Sequence, residues 1–411
     1  MDRRGQKWVL DTLLGMFGID VLHPESRPIF VQLGYGMADV ERVMQRLKGG
    51  DWTLKAYTTR AVEVERMACR AEEEGQRLTA RDLYLRAGLL YGRAQYAIFR
   101  DDPIKSAYHG KLVECFQKVM ALNSTPIERV EIPLDGSTVY AVLHLPADTS
   151  HRVPAVLLVP GMDMVKEEWT AISLRCFLER GMATLAIDGP GQGETLLHGL
   201  KVTVDNYERA AQAAIDYLAA RPDIDADRIG MFGVSMGSHW GTRIAAAEAR
   251  LKAAATAMGC YGPKDTIFNW AQPSYRANYK YMAGIYDEDE FDRMAAQMVL
   301  DSVAPQVRCP FLMLQGEFDE LSPLHEVLPI YELVRAPKEV WVYEDQFHPL
   351  GGVFAEAVAG VADWLLARLN GLPLPSSDRR LYIRTDGTVV EGDARPLWWS
   401  PERLLPVAAR T

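Results

Sequence analysis

Ser235 stands in the pentapeptide Gly233-Val234-Ser235-Met236-Gly237, between an apolar segment at 228–232 and a small-residue-rich segment at 238–249. The first reads as a short buried strand and the second as a helix. A serine on a sharp strand-to-helix turn tolerates only small neighbours, because a side chain at 233 or 237 would strike adjacent backbone. The turn lifts the hydroxyl above the sheet edge and sets the Met236 N–H at a helix N-terminus, where negative charge is stabilised. A serine hydroxyl is a weak nucleophile until an imidazole removes its proton, and the imidazole needs a carboxylate to fix its tautomer. Asp319 and His348 can supply these groups. Asp319 follows the strand-like run 309–315 through Gly316-Glu317-Phe318, and His348 follows 340–343 through Glu344-Asp345-Gln346-Phe347. Glu317, nearer the strand end, is the alternative acid. A second oxyanion donor is expected after an earlier strand, 154–159, in the loop Pro160-Gly161-Met162-Asp163, so Met162 and Met236 are the candidate N–H donors. The chemistry is attack on a carbonyl carbon through a covalent acyl intermediate.

These groups must be positioned by a scaffold, and its elements are legible. Residues 1–125 read as helices, with helical spacing over 76–100 and 105–122, a cap at Thr79 and a break at Asp101-Asp102-Pro103. Residues 128–145 read as a hairpin turning at Asp135-Gly136. Strands then alternate with helices: 155–159, 183–188, 228–234, 253–258, 311–315 and 340–343, closed by a helix over 351–370. That alternation predicts an α/β fold, a mostly parallel sheet covered by helices on both faces. The connection 262–303 is longer than one crossover requires and carries Phe268, Trp270, Tyr275, Tyr279, Tyr281 and Tyr286. It reads as an inserted helical lid whose rings partly pack its own core. After the prolines at 373 and 375, residues 381–390 suggest a second hairpin turning at Asp386-Gly387, with Trp398 and Trp399 anchoring the tail. The organisation expected is a helical cap region over 1–125, a core over 126–370 and an extension over 371–411.

The order Ser235, Asp319, His348, with the segments Met182-to-Glu194 (MATLAIDGPGQGE) and Gly161-to-Trp169 (GMDMVKEEW), resembles one branch of the α/β-hydrolase superfamily. That branch holds 2,6-dihydroxypseudooxynicotine hydrolase and fungal polyketide-shortening hydrolases, with FrsA-like proteins and simple esterases carrying similar motifs. The likeness spans most of residues 1–370. It implies an α/β-hydrolase fold and cleavage of a carbon–carbon bond beside a ketone. It also implies an additional active-site glutamate, whereas the corresponding segment here reads Pro263-Lys264-Asp265-Thr266. Ester, lactone or amide hydrolysis and acyl transfer use the same three residues, and a non-catalytic binding protein on this scaffold usually lacks one of them.

Composition narrows the classes further. The chain has 411 residues, 48% of them apolar, and a net charge of −10, which argues against a nucleic-acid surface. Cys69, Cys115, Cys176, Cys260 and Cys309 are scattered and odd in number, as expected for reduced thiols in a cytoplasm. The stretch 8–22 resembles a signal peptide, but Asp11 and Asp20 interrupt it, and Val9, Leu10, Leu13, Leu14 and Phe17 share one face of an amphipathic helix. No run is long enough to span a bilayer. Asp188 with Gly189, Gly191 and Gly193 lacks a nucleotide fingerprint and is expected to shape a loop beside the site. His239 is read as packing, His325 as a loop residue, and Lys166-Glu167-Glu168 as the first turn of a helix. No His/Cys cluster has metal-ligand spacing. The expectation is a small-molecule substrate, no cofactor, no metal and a possible homodimer.

Overall fold

A computed structural model describes residues 11–13, 15–16, 25–47, 49, 52–162 and 164–392. Most of the helix expected over 8–22 lies outside the described residues, as do Asp163, Trp398 and Trp399.

Ten strands form one sheet: β1 (Ile127–Leu134), β2 (Ser137–His144), β3 (Val153–Val159), β4 (Ala183–Asp188), β5 (Ile224–Val234), β6 (Ala253–Ala257), β7 (Phe311–Gly316), β8 (Lys338–Tyr343), β9 (Asp378–Ile383) and β10 (Val389–Glu391). Their order is β1-β2-β4-β3-β5-β6-β7-β8-β9-β10. The strands from β4 through β9 pair parallel, while the β1–β2 and β9–β10 hairpins sit antiparallel at the two edges. This is the expected α/β-hydrolase architecture. The central strands are buried on both faces, which is why Val-Pro-Ala-Val-Leu-Leu-Val reads as a continuous apolar run without alternation.

Alternate residues feed two apolar layers. Ala155, Leu157, Met231 and Met313 point into one, with the helices Asn206–Ala219, Met236–Ala247 and Leu324–Leu333. Val156, Leu158, Phe232 and Leu312 point into the other, which is shared with the N-terminal helices and with Phe354–Leu369. The N-terminal helical region is therefore packed on one sheet face as part of the core.

Several boundaries differ from expectation. The helix expected over 76–100 runs only from Arg77 to Ala94, and Thr79 lies inside it and caps nothing. The chain leaves it at Gln95, whose carbonyl and side-chain oxygens both accept from Lys105 Nζ. Asp102 caps the next helix, Pro103–Leu122, by accepting from the Ile104 N–H, with Pro103 in the first turn. β5 begins four residues earlier than the strand read from sequence, and the last large helix starts at Phe354. The segment 371–392 is an extension in sequence only: β9 pairs with β8 and lengthens the main sheet. Among the described residues no helix is long and apolar enough to cross a membrane, and no cluster of His, Cys, Asp or Glu could hold a metal ion.

Candidate active site

The chain runs from β3 to β4 on one side of β3, then crosses to β5 on the other. Such a reversal opens a crevice at the C-terminal strand ends. Ser235 follows β5 there, and Pro160-Gly161-Met162 follows β3. Ser235 sits at φ 54°, ψ −124°, a strained left-handed conformation. Its N–H donates to the Ala257 carbonyl at 2.9 Å and its carbonyl accepts from the Ser238 N–H at 2.8 Å. A Cβ at Gly233 would strike the Gly237 carbonyl, and one at Gly237 would strike the Val159 and Pro160 carbonyls. Both glycines are thus required by close backbone approach, as the motif reading expected.

The structure brings Ser235, His348 and Asp319 into one hydrogen-bonded chain. Ser235 Oγ lies 3.1 Å from His348 Nε2, and His348 Nδ1 lies 3.0 Å from Asp319 Oδ2. Asp319 and His348 are buried, and the second Asp319 oxygen accepts the Leu321 and Ser322 N–H groups, each at 2.9 Å. With Nδ1–H pointing at a carboxylate, Nε2 is left to accept from the serine hydroxyl. Glu317 is engaged elsewhere, accepting the Asp345 N–H at 3.0 Å. Cys260, whose thiol neighbours Ser235, has that thiol pushed up to about 12 by burial and is no competing nucleophile.

The Met162 and Met236 N–H groups flank Ser235 from the two loops. Met236 opens the helix after Ser235, and neither N–H donates to protein among the described residues. The Gly161–Met162 peptide is held from behind. Gln192 Nε2 donates to the Gly161 carbonyl at 2.7 Å, and the Met164 N–H donates to the same oxygen at 3.2 Å. Gln192 Oε1 in turn accepts the Tyr207 hydroxyl at 2.6 Å and the Gly189 N–H at 3.3 Å. Tyr207 is fixed by stacking on Trp240, centroids 4.3 Å apart.

Beneath these loops lies a charge cluster that sequence reading missed. Lys166, Glu167 and Glu168 lie in a buried 3-10 turn, Lys166–Trp169, that leads directly into the helix Thr170–Ile172. Lys166 is fully buried, and its ammonium lies 2.8 Å from Glu167, 2.9 Å from Asp188 and 3.0 Å from Glu194. Asp188 also accepts the Lys166 and Glu194 N–H groups at 2.8 Å, so its loop-shaping role is explicit. Burial alone would push the Glu194 carboxyl up, yet the Lys166 and Arg129 charges outweigh it and bring it down to about 2. The signal available in sequence was a lysine followed by two glutamates, with an Asp-Gly-Pro-Gly segment beginning 22 positions on; nothing local showed that they would meet or be enclosed.

A cavity of about 110 Å³ opens on Ser235 and His348. Its walls are mostly apolar: Ile29 and Phe30 from the N-terminal helix Ser26–Gln32 and Leu33 just after it, with Met258, Ile267 and Phe354. Among the described lining residues the one carboxylate is Glu168, which accepts the Tyr35 hydroxyl at 3.0 Å and the Val165 N–H at 3.1 Å. The 262–303 connection contributes Ile267 and Tyr275 to this cavity; Phe268 and Tyr279 pack on each other and on Phe291 within the connection, Tyr281 reaches out of it to donate to Asp101, and Trp270 and Tyr286 are exposed. Of the six rings, Tyr275 alone lines the Ser235 cavity. The connection's short helices must bury rings to exist at all, and one face cannot serve both purposes. Thr266, in the segment where a further glutamate was implied, donates to Glu326 at 2.7 Å, and Glu326 with His325 lines a separate cavity. His239 is fully buried with neither ring nitrogen bonded among the described residues.

Residues 38–273 match the protein family described as Esterase FrsA-like. The chain is 31% identical to 2,6-dihydropseudooxynicotine hydrolase of Paenarthrobacter nicotinovorans over 335 residues, covering 81% of this chain and 88% of that one. It is 32% identical to 20-hydroxy-prefusarin hydrolase of Gibberella moniliformis, covering 72% and 82%. The crystal structure of 2,6-dihydroxy-pseudo-oxynicotine hydrolase superposes with a TM-score of 0.75 at 28% identity, over 85% of this chain and 98% of that one.

Proposed function

The chain belongs to the FrsA-like esterase family of α/β-hydrolases, and from that premise we propose that it is a serine hydrolase working through an acyl-enzyme on a ketone beside a cleavable carbon–carbon bond. Ser235 Oγ attacks the carbonyl carbon while His348 Nε2 takes its proton. Asp319 holds the imidazole tautomer and balances the imidazolium. The oxyanion is received by the Met162 and Met236 N–H groups. In a trans peptide C=O and N–H point in opposite directions, so the Gln192 bond to the Gly161 carbonyl aims the Met162 N–H away from Gln192. On collapse the carbon–carbon bond breaks, and the leaving carbanion takes the proton from His348. Water, activated by the same imidazole, then releases the acid. The net change is ketone plus water to carboxylic acid plus a protonated leaving group.

The observation carrying this reading is the Ser235–His348–Asp319 chain at the mouth of an enclosed apolar cavity. A carbanion leaves readily when conjugation spreads its charge, and the flat aromatic or polyketide-like substrates that allow this need such an enclosure. The relatives named for pseudooxynicotine and prefusarin substrates support the choice. Two measurements test it. A fluorophosphonate probe should label the protein and fail to label Ser235→Ala; absence of labelling in both would exclude a serine hydrolase. Steady-state cleavage of an aryl 1,3-diketone should exceed that of p-nitrophenyl acetate in kcat/KM, and the opposite order without diketone cleavage would leave an ester hydrolase.

A further inference from the structure

A second chamber lies behind the Ser235 cavity. Met162, Met164, Arg93 and Glu168 line both. The chamber holds about 50 Å³; at roughly 10–15 Å³ per water-sized group that admits a carboxylate and excludes an aromatic ring. Its back wall is made by Lys105 and His109, one turn apart on the helix Pro103–Leu122 and so on the same face.

Both side chains are unusual for buried groups. His109 is 3% exposed, and neither ring nitrogen has a hydrogen-bond partner among the described residues. Burying such donors and acceptors unsatisfied is costly, and native structures rarely do so without a ligand or water to complete them. Lys105 is 7% exposed, donates hydrogen bonds only to the Gln95 oxygens and lies over the Tyr281 ring, 5.2 Å from its centroid, with no carboxylate within 4 Å among the described residues. The nearest acid, Asp101, is held by the Tyr281 hydroxyl at 3.1 Å and Lys201 at 3.7 Å. Burial brings the Lys105 ammonium down to about 8, which leaves it charged at neutral pH. The other charges on the chamber wall are Arg93 and Glu168, and Glu168 is already an acceptor for two donors. A buried ammonium without a counterion beside a bare imidazole is the donor set that an anionic oxygen pair completes.

We propose that this chamber is a substrate subsite for a carboxylate, so that the preferred substrates are ketones carrying an acidic group on a chain long enough to pass Met162 and Met164. The inference rests on Ser235 being the reacting centre, but its test does not require turnover. In the Ser235→Ala protein, binding of a homologous series of ω-benzoyl alkanoates and of their methyl esters would be measured by isothermal calorimetry. At the fitting chain length the acid should bind about 10- to 100-fold more tightly than its ester, as a charge-assisted contact provides. Lys105→Met should bring that ratio close to one, and His109→Leu should reduce it about threefold or more. If Lys105→Met does not fold, His109→Leu alone decides. Equal binding of acid and ester at every length, or a preference surviving both substitutions, would overturn the subsite. Failure of the serine-hydrolase reading shows separately, as loss of fluorophosphonate labelling in the unsubstituted protein.

Discussion

Replacing Gln192 by methionine keeps the side-chain length and removes the one donor that Gln192 directs at the Gly161 carbonyl, 2.7 Å away. Complete loss of an oxyanion donor costs about 10²- to 10³-fold in kcat. The Gly161–Met162 peptide is not fully released here, because the Met164 N–H still holds the same carbonyl at 3.2 Å. The expected loss is therefore intermediate, about 10- to 100-fold in kcat with KM changed less than about threefold, since only the transition state carries the full oxyanion charge. Tyr207→Phe provides a graded control. It removes the hydroxyl that donates to Gln192 but keeps the ring stacked on Trp240. Gln192 Oε1 then retains only the 3.3 Å bond from the Gly189 N–H to hold the amide that donates to Gly161, and kcat should fall by about 3- to 10-fold, the worth of one neutral hydrogen bond. Steady-state kinetics on p-nitrophenyl acetate, with thermal melts to establish that each variant is folded, would read both effects. An unchanged kcat in folded Gln192→Met, or a loss lying wholly in KM, would refute the idea that this relay orients the Met162 N–H.

Other consequences follow from the same geometry. Ser235→Ala and His348→Ala should each reduce kcat by about 10³-fold or more, with Asp319→Asn less severe than Ser235→Ala; Glu317→Gln should be mild, and a larger loss there than in Asp319→Asn would reassign the acid. Lys166→Met removes the ammonium shared by three buried carboxylates, of which, among the described residues, Glu194 alone keeps a cation, Arg129, and should destabilise the fold by about 3–5 kcal/mol, read by urea unfolding at neutral pH. A change below about 1 kcal/mol would show that the cluster rearranges without cost. Burial pushes the His144 imidazole down to about 3 from its ordinary 6.5. Between pH 6.5 and pH 3 the unfolded chain binds a proton that the folded chain does not, so stability should fall as pH is lowered through that window, by up to about 1.4 kcal/mol per pH unit from this group. His144→Gln should flatten the fall, and identical slopes with and without the histidine would contradict it.

What the amino-acid sequence determined by itself is what local sterics and periodicity control. Gly233 and Gly237 flank Ser235 because backbone approaches both, and a motif within five residues carries that requirement. The strand ends bearing Asp319 and His348 were legible because apolar runs buried on both faces of a parallel sheet stand out from the helices between them. Boundaries were less legible. The helix read to Arg100 stops at Ala94, and Gln95, just beyond its end, accepts from Lys105, ten residues on.

The remainder was decided by side chains distant along the chain. Glu168 looked like a helix-dipole residue until Tyr35, 133 positions earlier, donated to it across the site cavity. The glycine-rich loop was expected to shape the site, but the part Gln192 plays in it emerged only when folding set it against Gly161, 31 positions away. His109 and Lys105 lie in a segment that sequence shows only as a helix; its packing against the Gly193–Leu197 segment, Gln95 and Tyr281 encloses them in a chamber. Enclosure is a property of the assembled surface. Local sequence specifies which face of an element is apolar, whereas tertiary packing decides which polar groups are trapped with it and which partners they find there.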